Sequence, residues 1–563
     1  MTPNGQHVQE LARSWVEQDP DPETASELSG LISRAETGDG ESQAVILSKF
    51  GARLAFGTAG IRGPLGAGPT AMNRVVVSQT TAGLAQFLLG RRKRSSDSLR
   101  VVVGYDARKN SAVFARDTAE VLAGHGIEVL LTPHEVPTPV VAFAVLHLSC
   151  DAGVMITASH NPPQDNGYKV YFGGVDEGSQ IIPPIDAGIE SAITTVAATL
   201  SFDDIPRSNA LVSSSPADLV GNYISRTIET LGSIGAPNSS PIVVYTPLHG
   251  VGGETFLDAV EQAGFPPLHI VEEQFEPDPD FPTVAFPNPE EPGALDLSFA
   301  KAQAVDADLI IAHDPDADRL AVAVPDSTAS QGFRALTGNQ VGAILGWYLA
   351  ERAHLSGSSG SLANSLVSSP VLGKIAQHFG LDHEETLTGF KYVSRVENLI
   401  FGFEEALGYL VTPDVVRDKD GISAGLLVMS LANSLMEHGK TLVDYLREVE
   451  EQVGAFASGQ VTVRLEQGVA GSTVTNAMRT RSLAAIGSRS VVQVDDFLMG
   501  VGQYPAEDIL RYYLDDRTRV IVRPSGTEPK VKVYIDTEGT TSAEAQSRLT
   551  EVESDINELV SSL

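Results

Sequence analysis

Disulfide bridging is excluded at the outset, because the 563-residue chain carries a single cysteine, Cys150. That usage fits a reducing compartment, with the thiol packed as a small apolar group. Basic residues are scarce as well: 39 Lys plus Arg face 72 Asp plus Glu, for a net charge of −33. A field of that sign disfavours nucleic acid and anionic membranes as partners. An anionic substrate would have to be met by local groups of Arg and Lys. Long apolar runs are missing too. The most apolar stretch, Val140 to Thr157, is interrupted by His147, Ser149 and Asp151, and the N-terminal segment has neither the basic start nor the apolar run of a secretion signal. A cytoplasmic location without membrane association is therefore expected. The GxxxxGK[ST] spacing of a P-loop and a strand–GxGxxG–helix unit are also absent, which weakens nucleotide-dependent chemistry.

What is present is ordinary globular composition, 42% hydrophobic and 20% charged, with mean hydropathy near zero. A chain of this length exceeds one hydrophobic core, so about three to five domains are expected. After a polar helical leader, β-branched runs such as Val101-Val102-Val103 and Val154-Met155-Ile156 alternate with helical patterns such as Ala112 to Ala123. This is an α/β signature. Ser201 to Pro216 reads as a linker. The pattern restarts at Ile242 to Tyr245 and again with a helix from Gln340 to Ala353, so three similar α/β units are expected. Beyond Val453 come strands and a closing helix with the apolar stripe Leu549, Val552, Ile556, Leu559, Val560 and Leu563. This is a small α+β domain.

Two segments carry the strongest chemical signal. Thr157-Ala158-Ser159-His160-Asn161-Pro162 offers a hydroxyl in a tight turn at a strand end, where backbone N–H groups can meet an anion. Read for conformation alone, Asn161 would cap a helix and Pro162 would open it. Lys169, a little downstream, can return to the same place. Asp314-Pro315-Asp316-Ala317-Asp318-Arg319 sets three carboxylates on alternate residues after a buried-type strand, Asp308 to Ala312. So much like charge at the carboxyl end of a strand is best explained by a divalent cation. An EF-hand loop starting at Asp314 would need Gly and Glu where Arg319 and Pro325 stand, so a Mg²⁺ site open to a phosphate oxygen is expected instead of a calcium loop.

Three further segments are weaker individually. Arg523-Pro524-Ser525-Gly526-Thr527-Glu528-Pro529 is a loop between β runs offering a guanidinium, two hydroxyls and a glycine, suited to a phosphate. Phe56-Gly57-Thr58-Ala59-Gly60-Ile61-Arg62-Gly63 is a glycine-rich loop with one cation. Gly402-Phe403-Glu404-Glu405-Ala406-Leu407-Gly408-Tyr409, preceded by Lys391 and followed by Arg417-Asp418-Lys419-Asp420-Gly421, offers carboxylates of the kind that grip sugar hydroxyls.

Taken in chain order, from the loop at Phe56 through Thr157, Asp314 and Gly402 to Arg523, the segments resemble the α-D-phosphohexomutase family, the phosphoglucomutases and phosphomannomutases, and look like its longer branch, which also includes phosphopentomutases. The likeness runs from about residue 50 to the C terminus, and Tyr245-Thr246-Pro247-Leu248-His249-Gly250 and Leu336-Thr337-Gly338-Asn339 add to it. The resemblance implies three related α/β domains around a central cleft plus a C-terminal α+β phosphate-binding domain. Boundaries are expected at 1–45 for the leader, 46–205, 206–325, 326–452 and 453–563. It implies phosphoserine at Ser159 and Mg²⁺ held by that group with Asp314, Asp316 and Asp318. Arg319 would lie beside the sugar, Lys169 would act as general acid and base, and His160 and Arg62 would assist. Glu404 and Lys391 would bind the sugar, and Arg523, Ser525, Gly526 and Thr527 the phosphate that is not reacting.

The expected activity is transfer of phosphate between C1 and C6 of a hexose, glucose 1-phosphate to glucose 6-phosphate, through a bisphosphorylated sugar. Sugar monophosphates are the expected partners, and a sugar bisphosphate is a candidate activator. Phosphopentomutase and phosphomannomutase are the alternatives within the family, since Ala406 stands where many phosphoglucomutases carry Ser. A phosphoserine hydrolase and a non-catalytic sugar-phosphate-binding protein are the rivals outside it.

Overall fold

The computed structural model describes residues 3–58, 60–92, 98–232, 240–465, 470–502, 504–524 and 530–561. The chain divides into two compact units, Met1–Ala335 with Gly408–Asn433, and Leu336–Leu407 with Ser434–Leu563.

The first unit opens with helices Pro3–Gln18, Pro22–Glu36 and Gly40–Phe50. Asp21 and Asp39 cap the second and third through their carboxylates, and Pro22 occupies the first turn, where its missing N–H is harmless. The first sheet has the order Ile61–Pro64, Asp165–Phe172, Ala152–Ile156, Arg100–Tyr105, Glu128–Leu131, Val212–Ser214. Its central strands are parallel, while Asp165–Phe172 runs antiparallel to both neighbours. Val101, Val102 and Val103 are wholly buried, as continuous apolar runs should be in strands covered on both faces. The linker expectation for Ser201 to Pro216 needs correction. Val212–Ser214 pairs in parallel with Glu128–Leu131, and Arg207 stacks 4.0 Å above Phe202 while bonding Asp117. Neither feature has a local periodicity that a sequence reading detects.

The second sheet of this unit runs Phe333–Ala335, Leu320–Pro325, Leu309–His313, Val243–Thr246, His269–Ile270. Leu309–His313 is buried throughout, and the aspartate-rich turn begins at its carboxyl end.

In the second unit, Ser361–Ser365 pairs in parallel with Asp382–Thr386 on one side and Leu399–Glu404 on the other. The flanking helix Gly338–Ser356 begins in a capping box made by Thr337 and Gln340 and ends at Gly357 in the left-handed region. The C-terminal sheet is antiparallel, in the order Ala455–Arg464, Lys530–Gly539, Arg519–Pro524, Leu510–Leu514, Arg489–Asp496, Ala485–Ile486. Helix Ser542–Ser561 covers it with Leu549, Val552 and Ile556 fully buried and Leu559 and Val560 half-buried; Leu563 lies outside the described residues. The architecture is thus α/β, with a separate C-terminal sheet domain.

That sheet is tied to the parallel strands by buried charge. Arg519 donates to Asp536 at 2.8 Å, to Glu385 at 2.6 Å and to the Ser368 carbonyl, while Arg511 reaches Glu385 and, at 2.8 Å, Asp495. Leu366, Val367, Leu387, Ile509, Ile521 and Tyr534 form an apolar cluster at the same joint. Removing one partner of a buried ionic group leaves the other uncompensated, so Arg519→Met should destabilise this unit by about 3–5 kcal/mol. Calorimetry of the intact protein should show the corresponding transition at lower temperature. A variant melting like the parent would mean the network is energetically idle.

Among the described residues no helix is long and apolar enough to cross a membrane.

Candidate active site

Strand Ala152–Ile156 delivers Thr157, Ala158 and Ser159 into a turn. No helix begins at Asn161; the chain instead returns directly as strand Asp165–Phe172. Ser159 has φ +51°, its N–H donates to Thr157 Oγ1 at 2.8 Å, and its own Oγ donates to Asp314 Oδ2 at 2.7 Å. His160 Nδ1 stands 3.3 Å from the same oxygen. Lys169, on the returning strand, bonds Asp316 at 2.7 Å and Asp318 at 2.8 Å. Arg62 donates to Asn161 Oδ1 at 2.9 Å. The structure therefore gathers Arg62, Ser159, His160, Lys169, the three aspartates and Arg319 into one place within the first unit.

The aspartate turn is well supported. Ala317 adopts φ +55°, and the Arg319 N–H donates to Asp314 Oδ1 at 3.0 Å. The Arg319 guanidinium lies 3.9 Å from Asp314, 3.8 Å from Asp318 and 4.0 Å from Glu290. Two motif glycines are explained by backbone approach to this turn. A Cβ at Gly250 would sit 2.4 Å from Pro315 Cα, and one at Gly421 would sit 2.3 Å from the Arg319 carbonyl oxygen. Larger residues at either position would push the carboxylates out of register.

Donor atoms of Asp314, Asp316 and Asp318 lie within 4.8 Å of one another, and all three residues are buried. Asp316 Oδ1 and Asp318 Oδ1 have no hydrogen-bond partner among the described residues. Buried acceptors of this kind are costly unless something binds them, and a cluster of hard carboxylate oxygens suits a hard divalent cation. Burial and then Asp316 and Asp318 push Asp314 well above the usual carboxylate range. Burial acts the same way on Asp318, but Lys169, Lys419 and Arg319 outweigh it and hold that group well below. Lys169 is disfavoured by burial, yet Asp316 and Asp318 raise it above the ordinary lysine range. Burial, then Arg319 and Arg62, hold His160 well below the imidazole range, leaving its ring neutral near pH 7.

Several groups escaped the sequence reading. Thr138 donates its hydroxyl to Asp316 Oδ2 at 2.6 Å. Lys419, inside a segment noted only for its charge, stands 3.2 Å from Asp318. Its neighbours are pinned as Tyr171 donates to Asp418 at 2.9 Å and Tyr223 to Asp420 at 2.8 Å. Phe286 meets the His160 ring edge-on at 6.1 Å. Arg108 holds the serine turn from behind through the carbonyls of Ser159 and Asn161. Single residues distant in sequence give no spacing to detect; for the 275–292 loop, which carries Phe286, the available signal is its aromatic and proline content.

In the second unit, Glu404 ends strand Leu399–Glu404 and accepts the Gly389 N–H at 2.8 Å, next to Lys391, whose ammonium lies 5.0 Å from the Tyr392 ring centre. Glu405 accepts from Ser368 Oγ at 2.8 Å. Arg523 ends strand Arg519–Pro524. Burial and Glu405 raise the Tyr534 hydroxyl's pKa while Arg523 opposes them and Glu404 adds a smaller push, so the three charged groups surround one phenol that the sequence did not single out. Ser525, Gly526 and Thr527 lie outside the described residues.

Neighbouring α/β sheets whose strand ends bring a hydroxyl, three carboxylates and an ammonium together define a phosphotransfer class of enzyme. Four family models match in order along the chain: phosphoglucomutase/phosphomannomutase α/β/α domain I at residues 53–199, domain II at 222–327, domain III at 337–453 and the C-terminal domain at 474–554. The chain belongs to the phosphoglucomutase/phosphomannomutase family, the α-D-phosphohexomutases, whose members act on sugar phosphates. It is 47% identical over 489 residues to a Haemophilus influenzae protein named "Probable phosphomannomutase", covering 87% of this chain and 98% of that one. It is 35% identical over 578 residues to a Mus musculus phosphopentomutase, covering 94% and 90%. The crystal structure of a phosphoglucomutase/phosphomannomutase family protein from Burkholderia thailandensis shares the fold, with a TM-score of 0.67 at 19% identity over 90% of this chain and 97% of that one.

Proposed function

We propose that this chain interconverts glucose 1-phosphate and glucose 6-phosphate, using Ser159 as the carrier of phosphate and a bisphosphorylated sugar as the intermediate. The observation that carries the reading is the 2.7 Å contact of Ser159 Oγ with Asp314, beside a Lys169 bonded to both other aspartates. Asp314, Asp316 and Asp318, with the phosphate on Ser159, would hold a Mg²⁺, which neutralises charge on the transferring group.

The chain's own residues account for the rest. When the P–O bond to Ser159 breaks and one forms to a sugar hydroxyl, that hydroxyl must lose a proton and Ser159 Oγ must gain one. Lys169, bonded to Asp316 and Asp318, is the relay: as an ammonium it gives a proton to Ser159 Oγ and then takes up the one the sugar hydroxyl loses. Arg319 and Arg62 offset the phosphate's negative charge, and neutral His160 bonds at Ser159 Oγ. Glu404 and Lys391 orient the sugar hydroxyls. Arg523, with Ser525, Gly526 and Thr527, binds the idle phosphate, so that either end of the sugar can be presented in turn.

Arg523→Ala should therefore raise KM for the sugar phosphate by about 10- to 100-fold, the loss expected for one charge-assisted contact. Phosphorylation of Ser159, read by mass spectrometry, should be unchanged; its loss would contradict the division between reacting and idle phosphates.

A second reading, pentose or mannose in place of glucose, draws support from Ala406 in the sugar loop and from the names of the relatives. Turnover of glucose 1-phosphate, mannose 1-phosphate and ribose 1-phosphate under one set of conditions decides it. The glucose assignment fails if kcat/KM for either competitor is higher. Release of free phosphate without isomerised sugar would instead indicate a hydrolase.

A further inference from the structure

Arg108 has no role in the chemistry above, yet its side chain makes four hydrogen bonds to the turn that carries Ser159. Arg108 follows strand Arg100–Tyr105 and precedes helix Ser111–Gly124. Its side chain is only 1% exposed. One guanidinium nitrogen donates to the carbonyls of Ser159 at 2.6 Å and Asn161 at 2.5 Å. The other reaches the carbonyls of Pro162 at 2.9 Å and Asp165 at 3.2 Å. The Phe281 ring, from the 275–292 loop, stacks 5.0 Å from the guanidinium carbon. Asp106 accepts the Arg108 N–H at 3.0 Å and the Ser111 hydroxyl at 2.6 Å, fixing where the side chain starts.

We propose that Arg108 is a positioning residue for Ser159, holding the seryl backbone in the conformation that aims Oγ at Asp314. The inference rests on the reading of Ser159 as the phosphate carrier. Its physical basis is strain. Ser159 has φ +51°, a left-handed conformation that a non-glycine residue keeps only when its surroundings over-determine it. Here both polar groups of the residue are held: the N–H by Thr157 Oγ1 and the C=O by Arg108. The turn from 159 to 165 also aims four carbonyls, those of Ser159, Asn161, Pro162 and Asp165, at the one guanidinium; Pro162 O accepts in addition the Asp165 N–H at 3.0 Å. Only arginine carries enough donors in a rigid fork to satisfy all four; lysine places a single ammonium there. Without the fork the turn relaxes and Oγ drifts from Asp314, while the groups assigned to sugar and idle phosphate stay where they are.

The test compares Arg108→Lys and Arg108→Ala with the parent enzyme. Because a displacement on the order of 1 Å at a reacting atom costs about 100-fold, kcat should fall by that order in Arg108→Ala. KM for the sugar phosphate should stay within about threefold, since the lost interaction serves the transition state and not ground-state binding. Phosphorylation of Ser159 by a sugar bisphosphate, followed by mass spectrometry, should slow in parallel. Guanidinium ion at sub-denaturing concentration should restore part of kcat in Arg108→Ala, and ammonium ion should not. If Arg108→Ala fails to fold, Arg108→Lys and Thr157→Val carry the test, each expected to lose kcat with KM preserved. A folded Arg108→Lys or Arg108→Ala enzyme with parental kcat overturns the proposal, as does a loss confined to KM or one rescued equally by ammonium. A fully active Ser159→Ala enzyme would instead overturn the phosphate-carrier reading, which keeps the two failures distinct.

Discussion

Ser159→Ala is expected to reduce mutase turnover to background, by about 10⁴-fold or more, as removal of a covalent carrier does. The two nearby threonines are engaged elsewhere: Thr157 Oγ1 accepts the Ser159 N–H, and Thr138 Oγ1 donates to Asp316. The fold should be little disturbed. The variant deletes one bond to Asp314, a contribution of about 1–2 kcal/mol, and leaves the backbone turn in the hold of Arg108. Steady-state rates with glucose 1-phosphate, combined with intact-mass measurement after incubation with a sugar bisphosphate, check both halves. The variant should show neither turnover nor a phosphate adduct at this position. Activity within an order of magnitude of the parent would reassign the carrier.

The second large effect concerns Lys169, whose ammonium neutralises two buried carboxylates at 2.7 and 2.8 Å. Lys169→Ala removes that charge and the proton relay together. The rate should drop by about 10²–10⁴-fold, the usual contribution of a positioned acid–base group. Stability should also fall, by about 3–5 kcal/mol in metal-free buffer, because Asp316 loses its ion pair while buried and Asp318 keeps only the longer contacts with Lys419 at 3.2 Å and Arg319 at 3.8 Å. The sign of the metal response follows. Added Mg²⁺ should raise the melting temperature of Lys169→Ala more than that of the parent, since uncompensated carboxylates gain more from a cation. A variant with parental kcat, or one whose melting point ignores Mg²⁺ while the parent's responds, would remove Lys169 from its assigned place.

Most of the fold class was legible in the residues themselves. Val101 to Val103 and Leu309 to Ile311 are apolar on both faces, the mark of central parallel strands, and they are buried as such. The aspartate triplet was legible because it directly follows such a strand, so its position at a strand end needed no tertiary knowledge. Val212–Ser214 was not legible: three residues amid Ser and Pro carry too little pattern, and they become a strand only because Glu128–Leu131 offers an open edge.

Thr138, Arg108 and Lys419 were missed for a related reason. Each acts alone on a partner far along the chain, as Thr138 does on Asp316 across 178 positions. No local spacing encodes that contact. The joint of Arg511 and Arg519 with Glu385 was hidden in the same way, since isolated charges in a strand read as a solvated edge until a second layer buries them.

Residue order alone therefore determined which chemical groups this protein possesses and which of them sit at the ends of strands, because periodicity and turn chemistry act over a few residues. Tertiary structure alone decided that Ser159 meets Asp314, that Lys169 joins Asp316 to Asp318, and that one arginine holds the serine turn. Those contacts depend on how separate sheets pack, and packing is settled by the burial of hundreds of side chains at once, which no short segment can express.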